Sequence, residues 1–326
     1  MMNKITVVIP NYNGINYLKD CLEALYAQEA GTPDFQVLVV DNASGDGSVE
    51  QAEELFPDTR IIRLSENTGF CHAVNVGIRA SDTPYIILLN NDTKVKSRFV
   101  KSLYDAIRKN KKVFSVSAKM LMWDRPDLID DAGDLYTVMG WAFARGKGRP
   151  AEDYDKRISV FSACGGAAIY RRSILEEIGL FDELHFAYLE DLDLGYRARI
   201  HGYRNLYEPG AQVLHLGSAS TGSRYNPRKT QLASANSVYV IYKNMPPLQL
   251  IWNLPFLIPG FLIKWLFFCR KKMGLVYLKG LAEGVQRCQH PLGRAAKVPF
   301  RWKNLGHYLE IQRELYVNLV GLLTGR

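Results

Sequence analysis

The 326-residue chain is 47% hydrophobic and 23% charged, an ordinary globular balance with no low-complexity tract or internal repeat, which excludes a disordered or fibrous protein. Its net charge of +8 is unevenly placed: residues 246–326 hold twelve Lys/Arg against three Glu, a surplus of nine, while the first 245 residues sum to −1. The basic excess sits in a tail also rich in Trp, Phe and Leu, which argues against nucleic acid as the partner.

Five scattered cysteines without a C-x-x-C pair point to free thiols in a reducing compartment rather than a disulfide framework or a zinc site. The opening "MMNKITVVIP" runs directly into a strand, so no secretory leader is expected.

Taken in chain order, "KITVVIP" is an apolar run that ends on Pro10, Asn11, Tyr12 and Asn13. Ile15, Leu18, Leu22, Leu25 and Tyr26 then recur at helical spacing, and "FQVLVVD" breaks into turn residues from Asp41 to Asp46. A short helix around "SVEQAEELF", a strand "TRIIRLSEN" and a helix through "GFCHAVNVGIRAS" lead to "YIILLNNDT". Tyr85 to Leu89 shows no apolar/polar alternation, so it reads as a strand buried on both faces. The pattern predicts an α/β, Rossmann-like, mostly parallel doubly wound sheet.

Polar residues close each strand: the Pro10 to Asn13 group, Asp41 to Asp46, Glu66 to Thr68, and Asn90 to Asp92. Each set alone suits a turn. Four on one sheet edge outline a nucleotide-sized crevice. The chain has no G-x-G-x-x-G after its first strand and no G-x-x-x-x-G-K-[ST], which disfavours a dinucleotide oxidoreductase or a P-loop NTPase. A diphosphate in this crevice needs another counter-charge, and a divalent metal, Mn²⁺ or Mg²⁺, on carboxylate oxygens would supply it.

Seven segments in order, "VVIPNYNG", "VLVVDNASGDGS", "NTGFCHAVNVGI", "YIILLNNDT", "CGGAAIYRR", "FDELHFAYLEDLDLGYRARIHGY" and "VLHLGSAST", resemble the family 2 glycosyltransferases of GT-A fold. They look most like the rhamnosyltransferase-type members of bacterial cell-surface polysaccharide biosynthesis. The resemblance covers roughly residues 3–245, so a transferase domain over 1–245 and a helical region over 246–326 are expected. It implies that Pro10, Tyr12, Asn13 and Asp41 hold the nucleoside, and that Asn67 and Gly69 line the diphosphate and sugar.

"NND" falls at the family's D-x-D position, which makes Asp92 the metal ligand. Asn90 replaces the first aspartate, a departure that removes one charge, and Asn91 lies between the two. The "ED" pair maps onto the family's base motif, with Asp191 the base that activates the acceptor hydroxyl and Glu190 shaping its surroundings. Acids in a helix's first turn, Asp193 included, also simply complement the helix dipole. His215 in "VLHLGS" is a candidate second metal ligand by the same resemblance, or a packed core histidine. Gly165 and Gly166 are expected to let donor and acceptor approach closely. Arg224, with Tyr225 and Arg228, lies on a Gly/Ser-rich stretch that either closes over the diphosphate or is a solvated loop.

The activity implied is an inverting, metal-dependent transfer of a sugar, rhamnose first, from a nucleotide-diphosphate donor to a saccharide acceptor. "LQLIWNLPFLIPGFLIKWLFFCRKKMG", residues 248–274, is the most apolar stretch and is interrupted by Asn253, Pro255, Pro259, Gly260 and Lys264. It reads as a pair of interfacial helices or a re-entrant element beside an anionic cytoplasmic leaflet, or as helices packed on the protein. A membrane-facing tail fits a polyprenyl-linked acceptor and a cytoplasmic, peripheral location. Two alternatives remain at this level: a sugar-1-phosphate nucleotidyltransferase, whose Gly-rich basic loop "IPNYNGINY" does not supply, and an inactive nucleotide-sugar-binding scaffold, hinted at by Asn90.

Overall fold

The computed structural model describes residues 3–217 and 226–324. The first part alternates strand and helix: β1 (Ile5–Asn11), α1 (Leu18–Tyr26), β2 (Phe35–Asp41), α2 (Ser48–Leu55), β3 (Arg60–Arg63), α3 (Phe70–Arg79) and β4 (Tyr85–Leu89). Then come β5 (Thr93–Val95), α4 (Phe99–Arg108), β6 (Val113–Met122), β7 (Ile129–Asp131), β8 (Asp134–Tyr136), β9 (Ala142–Ala144), β10 (Ile158–Val160), β11 (Ala167–Arg171), α5 (Arg172–Ile178), α6 (Glu190–Ile200) and β12 (Arg204–His215).

The main sheet runs β10-β12-β6-β11-β4-β1-β2-β3. Strands β3, β2, β1, β4, β6 and β12 point one way, and β11, between β4 and β6, points the other. Val7, Val8, Ile9, Val39, Val40 and Ile86 to Leu89 are fully enclosed because both faces are covered. Leu18, Leu22, Phe99 and Leu103 of α1 and α4 cover one face, and Val74, Ile78, Ile174 and Leu194 of α3, α5 and α6 cover the other. The mostly parallel, helix-covered sheet expected from the sequence is present, with the reversed β11 inside it and the antiparallel β10, β5 and β7 at its margin as departures.

Two short pairings shape the carboxyl edge. β5 pairs antiparallel with the end of β12, setting Thr93 opposite His215, and β7 pairs with the end of β6. Residues far apart in sequence thereby meet beside the turn that leaves β4.

The chain continues as α7 (Pro227–Asn244), α8 (Pro247–Arg270), α9 (Gly274–Gln289), α10 (Pro291–Ala295) and α11 (Leu305–Thr324). Helix α9 lies against α7 at backbone distance: a Cβ at Gly280 or Gly284 would run into the carbonyl oxygen of Gln231 or Ala235. Tyr196 of α6, Val240 of α7, Leu257 of α8 and Ile311 and Leu315 of α11 share one core. The C-terminal helices therefore grip the helix that opens with Glu190 and Asp191.

The expectation of a pair of interfacial helices or a re-entrant element over 248–274 is corrected. Helix α8 is continuous through Pro255 and Pro259. Each proline forfeits one backbone hydrogen bond, and the remaining ladder with a packed stripe of Gln249, Asn253, Leu257 and Gly260 carries the helix across. Asn253 donates to Gln312 Oε1 on α11, which ties α8 to the body. The other side exposes Leu248, Ile251, Trp252, Ile258 and Leu262. By length and composition α8 is apolar enough to cross a membrane.

Candidate active site

The carboxyl edge of the sheet opens into a cavity of about 630 Å³, within the usual range for a small-molecule site. Its wall brings together Pro10, Tyr12, Asn67, Gly69, Asn90 and Asn91 from the strand ends with Asp92, Gly166, Glu190, Asp191 and His215. Arg228, from the start of α7, joins them. Arg224 and Tyr225 lie outside the described residues.

Asn13, Asp41 and Gly165 are not part of this wall. Asp41 Oδ1 accepts from Asn11 Nδ2 at 2.9 Å and from Ser44 Oγ at 2.6 Å, and its Oδ2 accepts from the Ser44 N–H at 2.9 Å. Those donors keep it only 3% exposed and facing the loop rather than the cavity. Asn13, at φ 51°, donates its N–H to Ser44 Oγ and accepts from the Gly45 N–H, pinning the loop after β1 to the loop after β2. Gly165 donates its N–H to Asp191 Oδ2 at 3.2 Å.

Asn11 is the centre of the donor side. Its Nδ2 reaches Asp41, Ser44 and Ser48, while its Oδ1 accepts from Asn91 Nδ2 at 2.7 Å. One buried amide thus locks the ends of β1, β2 and β4 together. The sequence flagged Asn11 only as a strand-end residue, and nothing in its spacing revealed this role.

At the β4–β5 turn, His215 Nε2 lies 3.4 Å from Asp92 Oδ1, and His215 Nδ1 is 2.7 Å from Asp130 Oδ2. Lys147 Nζ in turn contacts Asp130 Oδ1 at 2.5 Å. Burial disfavours the imidazolium, yet the hydrogen bonds it donates to Asp130 and Asp92 outweigh that and push the His215 pKa up to about 9. Burial likewise pushes Asp130 up, but His215 and Lys147 hold it at about 2. The corner therefore stabilises positive charge. Among the described residues no cluster of three His, Cys, Asp or Glu side chains is shaped to hold a metal. Asp92 and His215 supply two donors, and Asp130 orients the imidazole so that Nε2 faces Asp92, the arrangement usual for a metal-binding histidine. Such a pair suits Mn²⁺ or Mg²⁺ that takes its remaining oxygens from a diphosphate and water.

Glu190 and Asp191 open α6 and are distinguished by their partners. Asp191 Oδ1 accepts from the Leu192 N–H at 2.7 Å and Oδ2 from the Gly165 N–H, which favours its ionised form against the upward push of burial. Glu190 Oε2 is buried without a hydrogen-bond partner. Burial, with the adjacent Asp191 charge, raises its pKa to about 8. Asp191 gives up its proton first and Glu190 keeps one at neutral pH. Asp193 has no place in the wall: it is fully buried, accepts from Lys243 Nζ, Arg197 Nε and Asn244 Nδ2, and those cations overcome burial to hold it well below the usual carboxylate range.

The lining residues that sequence reasoning left without a role are Asn11, Asn42, Phe70, Cys164, Asn226, Lys229, Leu232 and the run Phe186 to Leu189. The last lies inside a quoted motif, but its positive-φ backbone at Phe186, Tyr188 and Leu189 leaves no trace in residue type.

Comparison with known proteins agrees with this architecture. The glycosyl transferase family 2 model matches residues 6–179, and the chain belongs to that family; it is a glycosyltransferase. It is 29% identical over 231 residues to N-acetylglucosaminyl-diphospho-decaprenol L-rhamnosyltransferase of Mycobacterium tuberculosis, covering 63% of this chain and 73% of that one. Among solved structures it resembles GalNAc-T7 with UDP, GalNAc and Mn²⁺, with a TM-score of 0.60 and 16% identity over 74% of this chain. It spans only 48% of that protein. It also resembles the 1–349 fragment of S. aureus TarS in complex with UDP-GlcNAc, with a TM-score of 0.59, 15% identity and coverage of 99% and 92%. These likenesses fix the fold as GT-A.

Beneath the Phe186 to Leu189 turn, His185 is fully buried with neither ring nitrogen hydrogen-bonded. Burial lowers its pKa from 6.5 to about 4. The unfolded chain takes this proton first as pH falls, so the stability contributed by neutral His185 is complete above pH 6.5 and lost on descending towards pH 4. Urea unfolding at pH 7 and pH 5 should show a His185→Leu variant losing about 2 kcal/mol less than the parent across that interval. Equal losses in both proteins would contradict the assignment.

Proposed function

We propose that the protein transfers a sugar, rhamnose, from a nucleoside-diphosphate donor to a polyprenyl-linked saccharide, with inversion at the anomeric carbon and with a divalent metal at Asp92 and His215. The observation that carries this reading is one cavity wall holding an ionisable, backbone-stabilised Asp191 together with the cation-attracting Asp92–His215 corner. The name of the mycobacterial relative supports rhamnose and a decaprenyl-linked acceptor. Phe70, Phe186 and Leu189 in the wall offer an apolar surface suited to a deoxysugar methyl group.

Asp191 accepts the proton of the acceptor hydroxyl as that oxygen attacks the anomeric carbon. Glu190 keeps its own proton at neutral pH and does not compete for it. Asn11, through Asn91, holds the strand-end loops in register beneath the donor. A bound divalent metal supplies counter-charge to the departing diphosphate. The acceptor oxygen attacks the anomeric carbon directly as the nucleoside diphosphate leaves, so a single displacement inverts the centre.

The 246–326 region would hold the enzyme at the cytoplasmic face of the membrane, near a lipid-linked acceptor. Its support is the exposed apolar side of α8, Trp252 at 68% and Ile258 at 64% exposure, next to the basic Arg270 to Lys272 turn.

Two results are expected. Asp191→Asn should retain nucleotide binding and lose at least about 10²-fold in kcat, and the acidic limb of the parent's pH profile should lie above the ordinary Asp pKa because burial raises it. Loss of nucleotide binding instead, or undiminished turnover, would contradict the assignment of the base. The doubly substituted Trp252→Ser, Ile258→Ser protein should sediment less with vesicles containing anionic phospholipid than the parent, about tenfold or more. Equal sedimentation would remove α8 as the membrane surface.

A further inference from the structure

The turn that precedes the Glu190–Asp191 pair is held from outside the transferase sheet. Phe186, Tyr188 and Leu189 have φ of 60°, 72° and 63°, positive values that these side chains rarely adopt and that persist only where surrounding contacts impose them. The contacts here come chiefly from one side chain. Asn236 on α7 is fully buried and directs Nδ2 at the carbonyl oxygens of His185 at 3.1 Å, Ala187 at 2.9 Å and Tyr188 at 2.7 Å. Its two amide hydrogens are shared among three acceptors.

The orientation of that amide is set in turn by α9. Arg287 donates from its guanidinium to Asn236 Oδ1. A flipped amide would turn Oδ1 towards three carbonyl oxygens and its NH₂ towards a cation, so Arg287 leaves a single workable arrangement. Gly280 and Gly284 bring α9 close enough to α7 for the contact. At the far side of the turn, Cys71 N–H donates to the Phe186 oxygen, and Phe186 closes over Gly69 in the donor wall.

We infer that Asn236 is a positioning residue for Asp191, and that Arg287 acts through it, so that α7 and α9 hold the acceptor side of the site in working shape. The inference rests on the transferase reading for its effect on turnover, but its structural half stands apart from it. The proteins to compare are the parent, Asn236→Asp, which keeps the volume and the Arg287 contact but abolishes both donors, and Arg287→Ala, which lies further from the core in case the first fails to fold. Amide hydrogen exchange of peptides spanning 183–193 is measured on each, with calorimetric binding of UDP, dTDP and GDP and, on the donor–acceptor pair the parent turns over, kcat and KM.

Exchange should rise in 183–193 in both variants and stay at parental levels in peptides from β1 to β4. The Kd of whichever nucleotide the parent binds should be unchanged, and kcat should fall at least tenfold with donor KM held within about twofold. Parental exchange in 183–193 would overturn the inference, as would a fall in kcat matched by weaker nucleotide binding and faster exchange throughout the sheet, the mark of a purely structural role. If the parent binds none of the three nucleotides, the transferase reading fails, and the exchange in 183–193 alone decides whether Asn236 and Arg287 hold the turn.

Discussion

Three residues of β5 paired with the end of β12 make the site possible. The turn after β4 projects Asp92 from the buried centre of the sheet, and this short antiparallel pairing, with the β6–β12 ladder, brings the last residue of β12 back beside it. β7 adds Asp130 behind His215, so two carboxylates and an imidazole meet from three separate strands or turns. Because β4 is enclosed on both faces, the strand cannot tilt to relieve the crowding of charge. The charge is instead balanced locally, by Lys147 and by the raised proton affinity of His215.

The three carboxylates at the start of α6 illustrate how environment separates residues that look alike. Asp193 is locked between Arg197 and Lys243 and ties α6 to α7. Asp191 faces the cavity with two backbone N–H groups to support its charge, and Glu190 precedes it with a buried oxygen that has no hydrogen-bond partner. All three are carboxylates in the first turn of one helix. The surrounding donors decide whether each serves as strut, base or proton-holder.

Much of the fold was legible in the sequence because buried parallel strands have no polar face: "VVIP", "VLVV" and "IILL" can hardly be read otherwise. The polar strand ends were legible as a group for the same reason, since polar residues adjoining such runs must lie at the sheet's edge, whereas the ED pair opens a helix and was legible only through its resemblance to the family motif. Residue-level roles were less so. Asp41 was expected against the nucleoside, and its hydrogen bonds from Asn11 and Ser44 were not foreseen, because short loop hydrogen bonds of that kind leave no periodic signal. The strained Phe186 to Leu189 turn was invisible because its conformation is imposed by Asn236, some fifty residues away in sequence. Helix α8 misled through its prolines, whose helix-breaking tendency was outweighed by the continuous apolar helix packed on α11.

The central claim is that the Asp92–His215 corner and the strand-end loops together form a metal-assisted nucleoside-diphosphate site. Calorimetric titration of the full chain with dTDP, UDP and GDP, in Mn²⁺ or Mg²⁺ and again in chelator, tests it most directly when run beside Asp92→Ala. The account predicts that one nucleotide binds, that chelator weakens it at least about tenfold, and that the Asp92→Ala protein, still folded, gains nothing from added metal. Nucleotide binding of equal strength with and without metal in both proteins would contradict it.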